Sequence, residues 1–213
     1  MDDARLDRNP RLPNQTSLVQ WIKADYRFYS GAFANSSKPA GGRLSRLWSA
    51  SMKLGFWVLF SYRLRNALSK RGSLLRKLGE LMGLWTKIAT GCHISPKCSI
   101  GFDVALPHPV GIVIGDRVVI KNRVRIYQAV TLGSDDIGNS RYPTVEDDVT
   151  IFANAVIIGE INLGPRSIIG AGAIVLRDVP PDCSAVGNPA RIIQKKNSAD
   201  ATEALPDISI KSD

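Results

Sequence analysis

An aliphatic residue recurs every six positions through the second half of this 213-residue chain. The recurring residues are Ile94, Ile100, Leu106 and Ile112, then, after a shift of two positions, Ile114, Ile120, Ile126 and Leu132, and, beyond a polar stretch at 133–144, Val145, Ile151, Ile157, Leu163, Ile169 and Val175. Six extended residues at about 3.3 Å each make one flat side, and three sides close a triangular coil. The period therefore predicts a parallel β-helix in which the aliphatic side chains fill a three-sided prism.

The first ninety residues follow a different pattern, in which apolar residues recur at helical spacing. The predicted helices cover 17–30, about 43–70 and about 73–89. The predicted divisions of the chain are a disordered tail at 1–16, a helical region at 17–90, a β-helix domain at 91–193 and a polar tail at 194–213. The expected fold class is therefore mainly β: a parallel β-helix with an N-terminal α-helical region.

The positive charge of the chain is concentrated in the helical region. The formal net charge is +9, and residues 43–87 hold ten Lys and Arg against one acid, Glu80. Such a segment is typical of a solvated helix face, and equally of peripheral contact with an anionic membrane or a phosphorylated ligand. No recognised nucleic-acid-reading motif accompanies it, so we expect no nucleic-acid partner.

Cysteine content and hydropathy bear on the compartment. The three cysteines, Cys92, Cys98 and Cys183, are odd in number and lack C-x-x-C spacing, so we expect neither a disulfide framework nor a metal site. Residues 1–10 lack the apolar core of a signal peptide, and the longest apolar run, 54–60, is far short of the roughly 20 residues that span a bilayer. We expect a cytoplasmic protein, with any membrane association at the inner face.

One of the chain's two histidines lies between two prolines, in "LPHPVG". His108 falls at the third position of its hexapeptide, which points away from the prism, and lies beside the phase shift at 112–114. An outward-facing imidazole on a rigid coil is well placed to take a proton from a substrate. The alternative is a structural histidine that is satisfied by hydrogen bonds.

Two blocks, of which the first begins at His108's own hexapeptide, resemble the serine acetyltransferases and their polysaccharide-acetylating relatives. The blocks are "LPHPVGIVIGDRVVIKNRVRIYQAVTLGS" at 106–134 and "PTVEDDVTIFANAVIIGEINLGPRSIIGAGAIVLRDVPPDCSAVGNPARII" at 143–193. The resemblance implies left-handed β-helix coils, acetyl-CoA as co-substrate, and acetyl transfer to an acceptor hydroxyl. It implies that His108 is the general base, and that three chains form a homotrimer with sites between neighbouring prisms.

The resemblance also assigns roles to other positions. His93, fifteen residues before His108, stands where the serine enzymes carry an aspartate that orients the catalytic histidine. The implied acceptor-binding residues are Asp25, Arg141 and Tyr142. The implied contacts to coenzyme A are Ala153, Ala171 and Gly172, with Arg191 and Lys195 toward its phosphates.

Two departures from the family pattern bear on the acceptor. Pro107 stands where the serine enzymes carry an acceptor-binding aspartate, and Tyr142 stands where they carry a second histidine. A site for a small zwitterion would lose polar partners at both positions. Our interpretation is therefore a sugar hydroxyl in capsule or exopolysaccharide synthesis, with L-serine as the alternative. A non-catalytic scaffold would explain the repeats but not His108 together with the family-like blocks. A zinc hydratase needs three imidazoles per metal, and two histidines fifteen positions apart make that function a poor match.

Overall fold

Helices and short strands follow one another along the chain in the order that the sequence predicts. The computed structural model describes residues 18–31, 53–69, 71–135 and 141–194. The helices are α1 (Leu18–Gly31), α2 (Leu54–Leu68) and α3 (Ser73–Thr90). Within the described residues, no helix is both long enough and apolar enough to cross a bilayer. The predicted tail at 1–16, the predicted helical turns at about 43–52 and nearly all of the predicted tail at 194–213 lie outside the described residues.

The second half of the chain is built from strands of two to four residues. They are β1 (His93–Ile94), β2 (Ser99–Ile100), β3 (Val113–Ile114), β4 (Val119–Ile120), β5 (Arg125–Ile126), β6 (Thr131–Gly133), β7 (Thr144–Val145), β8 (Thr150–Ile151), β9 (Val156–Ile158), β10 (Asn162–Leu163), β11 (Ile168–Ile169), β12 (Ile174–Val175), β13 (Cys183–Val186) and β14 (Arg191–Gln194). Each strand is short because it forms one side of a coil and ends at a corner.

Three sheets form the sides of the prism. Their strand orders are β1-β3-β6-β9-β12, β2-β4-β7-β10 and β5-β8-β11-β13-β14. All pairs are parallel except β13 with β14, which is antiparallel. Ile126, Ile151 and Ile169 lie directly above one another and are fully buried. The six-residue period is therefore the period of the core, as the sequence predicts.

One corner of the prism carries charges of alternating sign. The residues that occupy it, one per coil, are Asp103, Arg123, Asp148, Arg166 and Asp182, which we call the charge column. All five have a left-handed backbone, with φ between 55° and 63°. Arg123 Nε donates to Asp148 at 2.7 Å, and Arg166 Nη2 donates to Asp182 at 2.6 Å. The column therefore links successive coils on the outside of the prism.

The helical region is attached to the first coil by an aromatic stack and a buried guanidinium. Trp21 of α1 stacks on Phe102, with ring centroids 3.7 Å apart. Arg63 of α2 lies over the same Trp21 ring, 4.1 Å from its centroid, and donates to Asp25 and, at 2.8 Å, to the Gly101 carbonyl. These contacts fix α1 and α2 beside the coil that leads to His108.

Candidate functional site

The segment that carries His108 is longer than a normal corner of the prism. Ile94 and Ile114 lie one coil apart, although two more residues separate them than separate Ile114 from Leu132. The extra residues lie in the loop at 107–112, where the Val110 N–H donates to the His108 carbonyl at 2.8 Å. The His108 side chain is exposed, which agrees with its outward-facing repeat position. The phase shift in the sequence therefore corresponds to the loop that presents this imidazole.

Two helices hold the start of this loop. The buried Leu106 N–H donates to the Tyr29 hydroxyl of α1 at 2.8 Å. Gly55 of α2 lies so close that a Cβ atom there would overlap the Leu106 carbonyl oxygen. Burial raises the pKa of Tyr29, so its hydroxyl stays neutral and available to the amide. Sequence reasoning missed both residues, although a glycine inside the apolar helix "LGFWVLF" is a signal of close packing.

An aromatic column runs from His108 across the next two coils. The His108 and Tyr127 ring centroids lie 6.3 Å apart, and Tyr127 stacks on Phe152 at 5.1 Å. Phe152 directly precedes Ala153, one of the residues implied to contact coenzyme A. The column therefore places His108 and Ala153 along one edge of the prism.

The residues Ala153, Ala171 and Gly172 near this edge leave a surface with only small side chains. Ala153 and Ala171 lie one coil apart, and the Gly172 N–H donates to the Ala153 carbonyl at 2.9 Å. Gly172 has a φ of +67°, and a Cβ atom built on it would meet nothing within 4 Å. The surface is open enough for a thin, flexible chain to approach the backbone.

A cavity of about 660 Å³ lies at the carboxyl-terminal end of the prism. Arg191 lines it, as does Arg177, which sequence reasoning missed. The remaining walls come from β12 and from the turn between β13 and β14. Two guanidinium groups suit phosphate recognition. Lys195 lies outside the described residues.

His93 lies on β1 and faces outward, into a second cavity between the first coil and the helices. Among the described residues, no hydrogen bond joins His93 to His108; the backbone N–H of His93 donates to the Ile112 carbonyl at 2.7 Å. The nearby Asp116 carboxylate accepts from Lys97 at 2.7 Å and from Ser95 at 2.6 Å, and these bonds hold its pKa below the usual value. The orienting role of His93 stays a prediction.

Asp25 is enclosed by the helical region. Its carboxylate is 2% exposed and accepts two hydrogen bonds from Arg63, at 2.5 and 3.1 Å. Burial raises the pKa of Asp25, against the opposing effect of Arg63. Both carboxylate oxygens of Asp25 are thus paired with Arg63. The acceptor-binding role of Asp25 stays a prediction.

Arg141 and Tyr142 lie beyond β6, at the start of the next coil. Arg141 pairs with Asp135 at 2.9 Å, and Tyr142 packs on the core over Gly115. Among the described residues, no hydrogen bond, ion pair or ring contact joins either residue to His108. Their acceptor-binding role also stays a prediction.

Comparison with known proteins identifies the family. No family model matches the chain. A serine acetyltransferase of Buchnera aphidicola is 41% identical over 149 residues, which cover 68% of this chain and 56% of that protein. Soybean serine acetyltransferase complexed with serine is 34% identical with a TM-score of 0.69, over 83% of this chain and 70% of that one. A serine acetyltransferase in complex with CoA is 30% identical with a TM-score of 0.70 and the same coverage.

The chain belongs to the serine acetyltransferase-like family of hexapeptide-repeat acetyltransferases. The predicted fold class, a left-handed parallel β-helix with an N-terminal helical region, is confirmed. The chain spans just over half the length of the curated serine acetyltransferases it matches.

The sugar-hydroxyl interpretation of the acceptor is wrong. The matched relatives and solved structures are serine acetyltransferases, and one of the structures is complexed with serine. The interpretation depended on Pro107 and Tyr142 as lost polar partners. Tyr142, however, has a packing role over Gly115, so its identity carries little information about the acceptor.

Proposed function

We propose that this chain is a serine O-acetyltransferase that moves the acetyl group of acetyl-CoA to the hydroxyl of L-serine. One observation carries the proposal: the exposed imidazole of His108 lies on an enlarged loop that Tyr29 and Gly55 hold in place, in a chain of the serine acetyltransferase-like family. The soybean relative complexed with serine and the relative in complex with CoA support the two substrates.

In the proposed reaction His108 acts as the general base. Its imidazole takes the proton of the serine hydroxyl while the serine oxygen attacks the thioester carbonyl. The carbon–oxygen bond forms, the carbon–sulfur bond breaks, and the imidazolium returns its proton to the leaving thiolate. Acetyl-CoA supplies the activated acyl group. Ala153 and Gly172 would offer backbone to its thin arm, and Arg177 and Arg191 would bind its phosphates.

The test is acetyl transfer by the His108→Ala variant. A general base contributes about 10²- to 10⁴-fold, so we expect kcat/KM for L-serine to fall by that factor. The exposed position of residue 108 predicts an unchanged melting temperature. An Arg117→Ala variant, which changes an exposed corner elsewhere on the prism, serves as control. Full activity of His108→Ala, or no acetylation of L-serine by the unaltered protein, contradicts the proposal.

We further propose a homotrimer whose sites lie between neighbouring prisms. Arg141 pairs with Asp135 and Tyr142 packs over Gly115 within their own chain, and in the proposed trimer a neighbouring chain would bring them to the site at His108. A trimer predicts a mass of about three times 23.2 kDa by light scattering. Mixing the inactive His108→Ala and Arg141→Ala chains is then expected to restore part of the activity, whereas sites built within one chain would stay inactive.

We propose a cytoplasmic location with peripheral contact at the inner membrane face through 43–87. The three cysteines are free, as a reducing compartment maintains them. On α3, Leu74, Trp85 and Ile88 are 66–78% exposed, and Lys77 and Lys87 lie on the same helix. Apolar and basic residues in this arrangement are typical of interfacial helices, and retention by anionic vesicles tests the contact.

A further inference from the structure

The cavity beside His93 has a strongly basic lining. It measures about 270 Å³ and lies between the first coil and the two helices α2 and α3. Arg65, Arg76, Lys87 and His93 line it, against a single acid, Glu80. We call it the α2–α3 cavity. The apolar part of its wall includes the buried Cys92 and Ile94.

Arg65 is a half-buried guanidinium without a carboxylate partner among the described residues. Its Nη2 donates to the Ile94 carbonyl at 2.6 Å, while its Nε is buried and has no hydrogen-bond partner there. Burial lowers its pKa, and no carboxylate is among the groups that oppose this effect. Because a desolvated charge without a counter-charge is costly, the surroundings of Arg65 favour an anion.

Helix α3 is shaped around this guanidinium. A Cβ atom at Gly83 would lie 2.8 Å from Arg65 Nη1, and one at Gly79 would lie 3.3 Å from Arg65 Cα. Glycine is a poor helix former compared with alanine, so two such residues in one helix weaken it. Their position keeps room for the Arg65 side chain at the cavity.

The other charged groups at the cavity do not neutralise it. Glu80 is exposed and lies 3.8 Å from Arg76, so at most it offsets that one guanidinium. The Asp116 carboxylate is already bound by Ser95 and Lys97. Within the described ranges, no carboxylate pairs with Lys87. Arg65 and Lys87 therefore remain as unmatched cations on two sides of one cavity.

We propose that the α2–α3 cavity binds a small oxyanion of the phosphate class. Guanidinium and ammonium donors are the groups that bind phosphate in proteins, and the His93 ring adds a further N–H. The volume lies below the roughly 300–1,000 Å³ of pockets for drug-sized ligands, so the ligand has few heavy atoms. Inorganic phosphate or a short phosphomonoester fits this description. The proposal is independent of acetyl transfer.

Titration calorimetry of the full chain with inorganic phosphate at low ionic strength tests this site. We expect saturable binding that the Lys87→Gln variant weakens by at least tenfold. Lys77→Gln removes the same charge from the same helix but not from the cavity lining, so we expect it to bind phosphate normally. Arg65→Met is expected to abolish phosphate binding. If Arg65→Met fails to fold, the comparison of Lys87→Gln with Lys77→Gln still tests the site.

Three outcomes would overturn the proposal. The first is that the chain binds neither inorganic phosphate nor vesicles that contain phosphatidic acid. The second is that Lys77→Gln weakens binding as much as Lys87→Gln, since the effect is then general electrostatics and not a site. The third is that the chain is retained by vesicles of phosphatidylcholine and phosphatidic acid but binds no soluble phosphate, because the phosphate then belongs to a lipid surface.

Discussion

At the scale of single residues, the Tyr29 hydroxyl joins the helical region to the loop that presents His108. This hydroxyl accepts a hydrogen bond from the Leu106 N–H. Leu106 lies 77 positions after Tyr29 and two residues before His108. Both partners are buried, so no water replaces the bond when it is lost. Tyr29 is therefore a positioning residue for the proposed base.

We expect the Tyr29→Phe variant to lower the free energy of unfolding by about 1–3 kcal/mol, because it leaves a buried N–H unpaired. Urea unfolding measures this loss. The looser loop is expected to lower kcat for acetyl transfer more than it raises KM for serine. Tyr26→Phe, a partly buried tyrosine on the same helix, is the control. Equal effects of the two variants would show that Tyr29 has no special connection to the loop.

The buried thiol of Cys98 predicts how folding stability depends on alkaline pH. Burial raises the pKa of its thiol from 9.0 to about 12. Between these values the unfolded thiol loses its proton while the folded thiol keeps it, so the unfolded state binds fewer protons. The stability contribution is therefore complete below pH 9 and is lost as the pH rises toward 12, by about 1.4 kcal/mol per pH unit.

Urea unfolding between pH 8 and 11 measures this dependence. Cys98→Ala is expected to flatten it, although the buried tyrosines Tyr29 and Tyr62, whose pKa values burial also raises, keep part of the slope. Folded protein is expected to react with iodoacetamide at Cys98 far more slowly at pH 9 than unfolded protein does. Equal reaction rates would contradict the assigned burial effect.

At the scale of elements, the docking of α2 on the first coil depends on the absence of a side chain at Gly55. Alanine is the better helix former by about 1 kcal/mol, so in an isolated helix Gly55→Ala would stabilise. Here the added methyl group meets the Leu106 carbonyl and, at 2.6 Å, the Tyr29 hydroxyl, which are held by the coil and by α1. We therefore expect the clash to exceed the propensity gain.

The Gly55→Ala variant is accordingly expected to melt at a lower temperature and to acetylate serine more slowly than the unaltered chain. Thermal unfolding and a steady-state assay measure the two effects. Gly72→Ala is the comparison variant. The added Cβ would meet nothing within 4 Å, and the φ of +110° strains alanine only locally, away from Leu106. A stabilised and fully active Gly55→Ala variant would contradict the described packing.

The same elements show how much the sequence alone predicts. Periodicity predicts the coils and, to within one residue at each end, α1 and α3, because each follows from local spacing of apolar residues. The phase shift beside His108 also locates the enlarged loop. The contacts of Tyr29 and Gly55 with Leu106, and the cavity around Arg65, depend on the packing of distant segments, which no local pattern encodes. The packing of Tyr142 over Gly115 is a contact of the same kind, and the wrong acceptor interpretation considered Tyr142 only as a lost polar partner.

At the scale of the whole molecule, stability is distributed along a one-dimensional stack of coils. Ile151 lies between Ile126 and Ile169 and is fully buried, so its truncation leaves a cavity in the middle of the stack. We expect Ile151→Ala to cost about 2–5 kcal/mol of unfolding free energy. Hydrogen exchange is expected to accelerate most in the coils on either side.

Ile193→Ala is the matched control, because Ile193 lies on β14 and is 52% exposed. Its cost is expected to stay within about 0.5 kcal/mol, as for other surface substitutions. Chemical unfolding with urea compares the two variants directly. Similar costs would mean that the aliphatic repeat is not the main source of stability in the prism.

The charge column has a consequence for how the chain reaches its folded order. Its signs alternate from Asp103 through Arg123, Asp148 and Arg166 to Asp182. All coils have nearly identical aliphatic interiors. The core alone therefore does not distinguish pairing with the adjacent coil from pairing with the coil after it. If a coil were skipped, aspartate would face aspartate or arginine would face arginine, and like charges repel. The charge column thus destabilises stacks in which a coil is paired with the wrong neighbour, which the aliphatic interior alone would tolerate.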